Sequence, residues 1–161
     1  ALRCALRTVQ VDPAGREALV LGGGGSARAT AAALRGSNLT FVVRDRERAP
    51  ELGELGQVLA WSDPDWPAVL ARAAVVVNAT PLGRHGEMAL PLTASPPTGA
   101  LIDLVYVRGG TPLVRWGRDR GLACVDGWTI LLAQGAASFE AWTGRPAPLE
   151  AMRAALLEVA A

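Results

Sequence analysis

Two hydrophobic patterns alternate along the chain. Short, almost wholly apolar runs of three to five residues are followed by longer Ala-, Leu- and Arg-rich stretches with helical periodicity, an order that predicts βαβ units around a parallel sheet. Six strands are expected, at 18–21, 39–43, 58–60, 75–77, 100–104 and 122–125. The first, Ala18-Leu19-Val20-Leu21, is apolar throughout, as expected of a strand covered on both faces. Helices are expected at 26–35, 46–55, 63–72 and 112–120, the last with Thr111 as N-cap and Pro112 in its first position.

Beyond the sixth strand, positions 128, 131, 132, 135, 139 and 142 form one helical stripe that the sheet is expected to bury. Gln134 flanks that stripe, and a last helix is expected at 149–160. A polar, Pro-rich connection at 82–99 is long enough to suggest a functional loop.

The first strand runs directly into Gly22-Gly23-Gly24-Gly25. The spacing Gly22-x-Gly24-x-x-Ala27 between strand and helix matches the dinucleotide fingerprint. Gly22 permits the tight turn, Gly24 lets a diphosphate approach the backbone, and Ala27 keeps the helix close to the sheet. The expected fold is therefore a Rossmann-like, doubly wound α/β sheet of about six parallel strands with helices on both faces. The alternative is a glycine turn that serves packing alone.

Composition narrows the chemistry further. The chain has 161 residues, half of them apolar and 19% charged, which suits one compact domain, 1–161. All 16 basic residues are Arg. With no lysine there is no Schiff-base lysine, phosphate-loop lysine or lysine general base in this stretch. The net charge of +1 argues against a nucleic-acid or anionic membrane surface and favours a small-molecule partner. Cys4, Cys124 and His85 are too few for a disulfide framework or a zinc cluster, so no metal site is expected and a reducing cytoplasm is the default. Both cysteines read as small apolar residues, His85 as an idle surface residue, and the five tryptophans as core and edge packing. No apolar run approaches the length of a membrane span, and the opening Ala1-Leu2-Arg3-Cys4 reads as the interior of a helix, as in a fragment.

At the end of the second strand stand Val43-Arg44-Asp45-Arg46-Glu47-Arg48. An acid there accepts from a ribose 2′-OH, whereas arginine binds a 2′-phosphate. Arg44 and Arg48 favour NADP, and Asp45 leans toward NAD or toward capping and pairing with Arg48.

These residues resemble, in order, the motifs of the C-terminal, nucleotide-binding domain of the shikimate dehydrogenase family. Gly22 to Ala29 is similar to its glycine loop, and Val43-Arg44-Asp45 with Arg48 to its phosphate clasp, with Val43 and Asp45 as departures. Asn78-Ala79-Thr80, Asp103-Leu104-Val105-Tyr106 with Thr111-Pro112-Leu113, and Asp126-Gly127 through Gln134 follow, Ile130 replacing the usual Met. The resemblance implies that Gly22, Gly24, Gly25, Ser26, Ala27, Arg44, Asp45, Arg48, Asn78, Ala79, Thr80, Leu104, Gly127 and Ile130 bind the cofactor, while Tyr106 and Gln134 bind the substrate.

It further implies NADP as cofactor, reversible reduction of 3-dehydroshikimate to shikimate in aromatic amino acid biosynthesis, and no catalytic residue in this chain. The Lys/Asp catalytic pair of the family lies in a preceding N-terminal domain. Residues 1–10 then resemble the end of the connecting helix, and 149–161 a helix that packs toward that domain or mediates self-association. An NAD-preferring quinate/shikimate dehydrogenase domain, a nucleotide-binding or sensing module that is not catalytic, and a purely structural domain are the alternatives.

Overall fold

A computed structural model of the chain describes residues 1–91 and 95–160. Part of the expected 82–99 loop therefore lies outside the described residues. The elements are α1 (Leu2–Thr8), β1 (Glu17–Leu21), α2 (Gly25–Ala33), β2 (Asn38–Val43), β3 (Gln57–Ala60), α3 (Trp66–Arg72), β4 (Val75–Asn78), β5 (Ala100–Asp103), α4 (Pro112–Asp119), β6 (Cys124–Val125), α5 (Gly127–Thr143) and α6 (Leu149–Ala160). All six strands are parallel, in the order β3-β2-β1-β4-β5-β6.

The pleat divides the apolar strand residues between two cores. Val20, Phe41, Val77 and Ile102 face one side, where they pack with Leu6 of α1, Ala27 and Ala31 of α2, and Ile130 of α5. Leu19, Leu21, Val42 and Leu101 face the other, against Leu70 of α3 and Leu113 and Trp116 of α4. The strands are apolar at successive positions because both of their faces are buried, and the sheet is doubly wound as expected.

Four expectations need correction. The helix expected at 46–55 is only a 3₁₀ turn, Pro50–Glu54. Pro50 has no N–H to donate to residue 46, and its ring crowds that carbonyl, so a helix cannot run through it. The helix expected from 63 begins at Trp66, because Asp63 Oδ1 accepts from the Asp65 amide (3.1 Å) in a local turn and Pro67 sets the helical start. The sixth strand is two residues long instead of four.

The stripe on α5 is not buried by the sheet. Gly127 and Ile130 are the buried residues of this helix, and Trp142 is 85% exposed. A 17-residue helix is about 25 Å long, more than the short strands at this end of the sheet can cover. α5 packs instead on α1 and α6. Leu149 and Leu157 of α6 are exposed, as is Cys4 of α1. Among the described residues no helix is long and apolar enough to cross a membrane, and no group of three potential metal ligands occurs.

Candidate functional site

In the order β3-β2-β1-β4 the chain reverses direction of winding between β1 and β4, and the C-terminal ends of these strands border a crevice there. A cavity of about 390 Å³ occupies it, lined by Gly22 to Gly24 after β1, Val42 to Arg44 at the end of β2, Trp61 after β3, and Ala79 to Leu82 after β4.

Gly22 makes this turn possible. Its φ is +111°, and an added Cβ would lie 3.0 Å from the Ala79 carbonyl oxygen. Gly24 and Gly25 differ, because a Cβ at either would meet nothing within 4 Å. Gly24 caps α2 without a side-chain hydrogen bond, and no acid stands in the first turn of that helix. The neighbouring N-termini are already served. Thr111 Oγ1 accepts from the Val114 amide at α4 (3.2 Å), and Asp126 Oδ1 accepts from the Thr129 amide at α5 (3.0 Å). The Ala27 amide donates to the Gly24 carbonyl (3.0 Å), which leaves the Gly25 and Ser26 amides at the start of α2 to meet an external anion, reinforced by the helix dipole.

At the end of β2, Arg44 is exposed and, among the described residues, has no ion-pair partner within 4.0 Å. Asp45 is occupied locally, accepting from the Glu47 amide (3.0 Å) and pairing with Arg48 Nε (3.2 Å). On α2, Arg28 pairs with Glu51 (2.6 Å) and ties that helix to the 3₁₀ turn that follows β2.

Behind the crevice lies a buried polar network. Asn78 and Asp103 occupy facing register positions at the ends of β4 and β5. Asn78 Nδ2 donates to Asp103 Oδ1 (2.9 Å) and to the Leu82 carbonyl (3.0 Å), while its Oδ1 accepts from the amide and hydroxyl of Thr80 (3.1 and 2.7 Å). Asp103 also accepts from the Val105 amide (2.9 Å) and Thr111 Oγ1 (2.6 Å). Burial pushes the Asp103 carboxyl above its usual range, against the hydrogen bonds from Thr111, Val105 and Asn78. Asn78 is wholly buried with every polar atom of its side chain engaged within the protein, so it shapes the 78–82 turn from behind. It has no side-chain group left for a ligand.

The remaining expected residues fall in different places. Gly22, Gly24, Arg44, Ala79 and Thr80 line the crevice, and Gly25 opens α2 beside it. Ser26, Leu104, Ile130 and Gln134 line a second cavity of about 480 Å³ between α1, α2 and α5. Ala27 is buried against the sheet. Gly127 is buried, and a Cβ there would lie 2.5 Å from the Val105 carbonyl, so its missing side chain admits the Val105-Tyr106 backbone. Tyr106 is half exposed, its ring 5.6 Å from that of Trp128, whose indole N–H donates to the Val107 carbonyl (3.1 Å). His85 is exposed, and its amide and that of Gly83 donate to Glu87 (3.0 and 3.1 Å). These bonds, with that of Glu87's own amide first among the causes, hold the Glu87 carboxyl below its usual range.

Sequence reasoning missed Trp61, Pro81 and Leu82 as crevice residues. The signal was present: each directly follows a parallel strand or closely follows the turn at its C-terminal end, where ligands of such sheets bind.

A family model described as the shikimate 5'-dehydrogenase C-terminal domain matches residues 127–157. The shikimate dehydrogenase (NADP(+)) of Acidiphilium cryptum is 43% identical over 145 residues, covering 86% of this chain and 52% of that protein. The enzyme of the same name from Gluconobacter oxydans is 41% identical over 140 residues, covering 81% of this chain and 49% of its own length. The chain thus spans about half the length of these curated relatives. Among solved structures, the Thermus thermophilus shikimate 5-dehydrogenase in complex with NADP(H) and shikimate superposes with a TM-score of 0.79 at 32% identity, covering 99% of this chain and 60% of that one. Sequence and architecture together place the chain in the shikimate dehydrogenase family, as a counterpart of its C-terminal domain.

Proposed function

We propose that the chain binds NADP(H) across the crevice and forms the cofactor half of an enzyme that reversibly reduces 3-dehydroshikimate to shikimate. The observation that carries this reading is the uncapped N-terminus of α2, beside open space at Gly24 and Gly25 and on the same sheet edge as Arg44. The Gly25 and Ser26 amides receive the diphosphate, and Arg44 meets the 2′-phosphate with a guanidinium suited to bidentate binding. Arg48 can join it by leaving an exposed pair with Asp45 that is held weakly. Asp45 is the residue that favours NAD, yet its carboxylate is already engaged by Arg48 and the Glu47 amide.

When bound, the dinucleotide supplies or accepts the hydride. Leu104, Gly127 and Ile130 border its nicotinamide end, and Tyr106 and Gln134 reach toward the substrate. Asn78 and Thr80 hold the turn after β4 in place. A preceding domain contributes the Lys/Asp pair that moves the hydroxyl proton, and the exposed Leu149 and Leu157 of α6 pack toward it. With its two free cysteines, the protein suits a reducing cytoplasm.

Calorimetric titration of the chain with NADP and NAD tests the reading. Tighter binding of NADP supports it, and equal or reversed preference overturns the choice of cofactor. Absence of any dinucleotide-induced rise in melting temperature would make the fold a structural domain only.

A further inference from the structure

We propose that Trp61 is the wall of the crevice against which the purine ring of the dinucleotide stacks. The proposal rests on the reading that the crevice binds a dinucleotide, and it assigns a role to a residue outside the fingerprint.

Trp61 directly follows β3 and its backbone amide donates to the Val43 carbonyl (2.8 Å), so the residue is anchored to the end of β2 immediately before Arg44. Its carbonyl accepts from the indole N–H of Trp66 (3.1 Å), and the two rings lie 5.3 Å apart at 40°. Trp66 is 3% exposed and belongs to the core beneath α3. The Trp61 indole is thus braced by a buried partner, while its own ring remains partly exposed and lines the cavity.

The chemistry of that end of the crevice matches a planar aromatic heterocycle. Trp61 faces a space bounded by Val43, Pro81 and Leu82, with no carboxylate among the lining residues and Arg44 at its rim. The ends of β3 and β4 are three strand spacings apart, about 14 Å, room for a nucleotide rather than for a lone anion. An indole held in place offers a π-face to any base at small entropic penalty, because it is already ordered.

The test compares the chain with Trp61→Phe and Trp61→Leu in titrations with 2′,5′-ADP, the adenosine half of the cofactor, and with nicotinamide mononucleotide, the other half. Trp61→Leu is expected to weaken 2′,5′-ADP about tenfold. Trp61→Phe should retain most of the affinity, and nicotinamide mononucleotide should bind all three alike. In the unsubstituted chain the adenine H2 and H8 resonances should move upfield on binding, a direct sign of stacking that stands even where Trp61→Leu fails to fold. Unshifted adenine protons, or equal affinity of Trp61→Leu and the parent for 2′,5′-ADP, would overturn the role of Trp61 and leave the dinucleotide reading intact. A parent chain that binds neither NADP nor 2′,5′-ADP would overturn both.

Discussion

Asn78 donates a 2.9 Å hydrogen bond to Asp103 across the ends of β4 and β5, where the two residues face each other in the ladder. Both side chains are fully buried, and each is tied to the loop that follows its strand. The pair therefore couples the 78–82 turn, which lines the crevice, to the segment that carries Tyr106. Asp103→Ala would strand the Val105 amide, the Asn78 amide and the Thr111 hydroxyl, and is expected to lose about 3 kcal/mol in urea unfolding. Asp103→Asn keeps one acceptor oxygen and should lose clearly less. Equal losses in the two variants would show that the network is not the source of the stability.

Arg44 and Arg48 should behave differently when truncated. Arg44→Ala is expected to weaken NADP about tenfold, equivalent to about 1.4 kcal/mol, with little effect on NAD. Arg48→Ala should have a smaller effect, because Arg48 is shared with Asp45. A uniform loss for both cofactors in Arg44→Ala would make that residue structural.

Two glycine substitutions separate packing from ligand approach. Gly127→Ala forces a methyl to within 2.5 Å of the Val105 backbone and should destabilise the fold by about 1–3 kcal/mol, displacing Tyr106. Gly24→Ala has open space and a backbone, φ −86° and ψ −168°, that alanine adopts freely. Its melting temperature should be unchanged while NADP affinity falls, since the methyl stands where the diphosphate approaches. Unaltered affinity would move the anion site elsewhere.

The two buried or half-buried aspartates on this edge should give stability opposite dependences on pH. For Asp126, burial opposes the charge, but the hydrogen bonds of Thr129 and the Arg118 pair (3.1 Å) outweigh it and hold the carboxyl below its usual range. Its contribution is present above the unfolded value, about 3.9, and is lost as pH falls through the lower folded value. Asp103, raised by burial, contributes stability below the unfolded value that is lost as pH rises through its folded value. Urea midpoints followed to either side of about pH 4 should show a weaker loss on the acid side in Asp126→Asn and a weaker loss as pH rises in Asp103→Asn. Superimposable profiles for the three proteins would remove both aspartates from the account.

Much of the fold was legible in local sequence. The apolar runs at 18–21 and 75–77, the Thr111-Pro112 helix start and the four glycines after β1 each specify their conformation through neighbours only a few residues away. The helix expected at 46–55 failed for an equally local reason, a proline whose effect outweighs the surrounding helical periodicity. The buried stripe expected on α5 failed for a distant one. Periodicity shows that a helix has an apolar side, but not whether a sheet, another helix or solvent meets it.

The candidate site divides along the same line. From sequence alone came the glycine turn between strand and helix, the basic residues at the end of the second strand and the order of the motifs, because glycine spacing and strand-to-helix placement are chemistry along the chain. Only the tertiary structure decided that Asn78 turns inward to an aspartate 25 residues away while Trp61 opens on the crevice. At the end of a strand, the direction of a side chain depends on which partners the neighbouring strands bring to it, and those partners are distant in sequence.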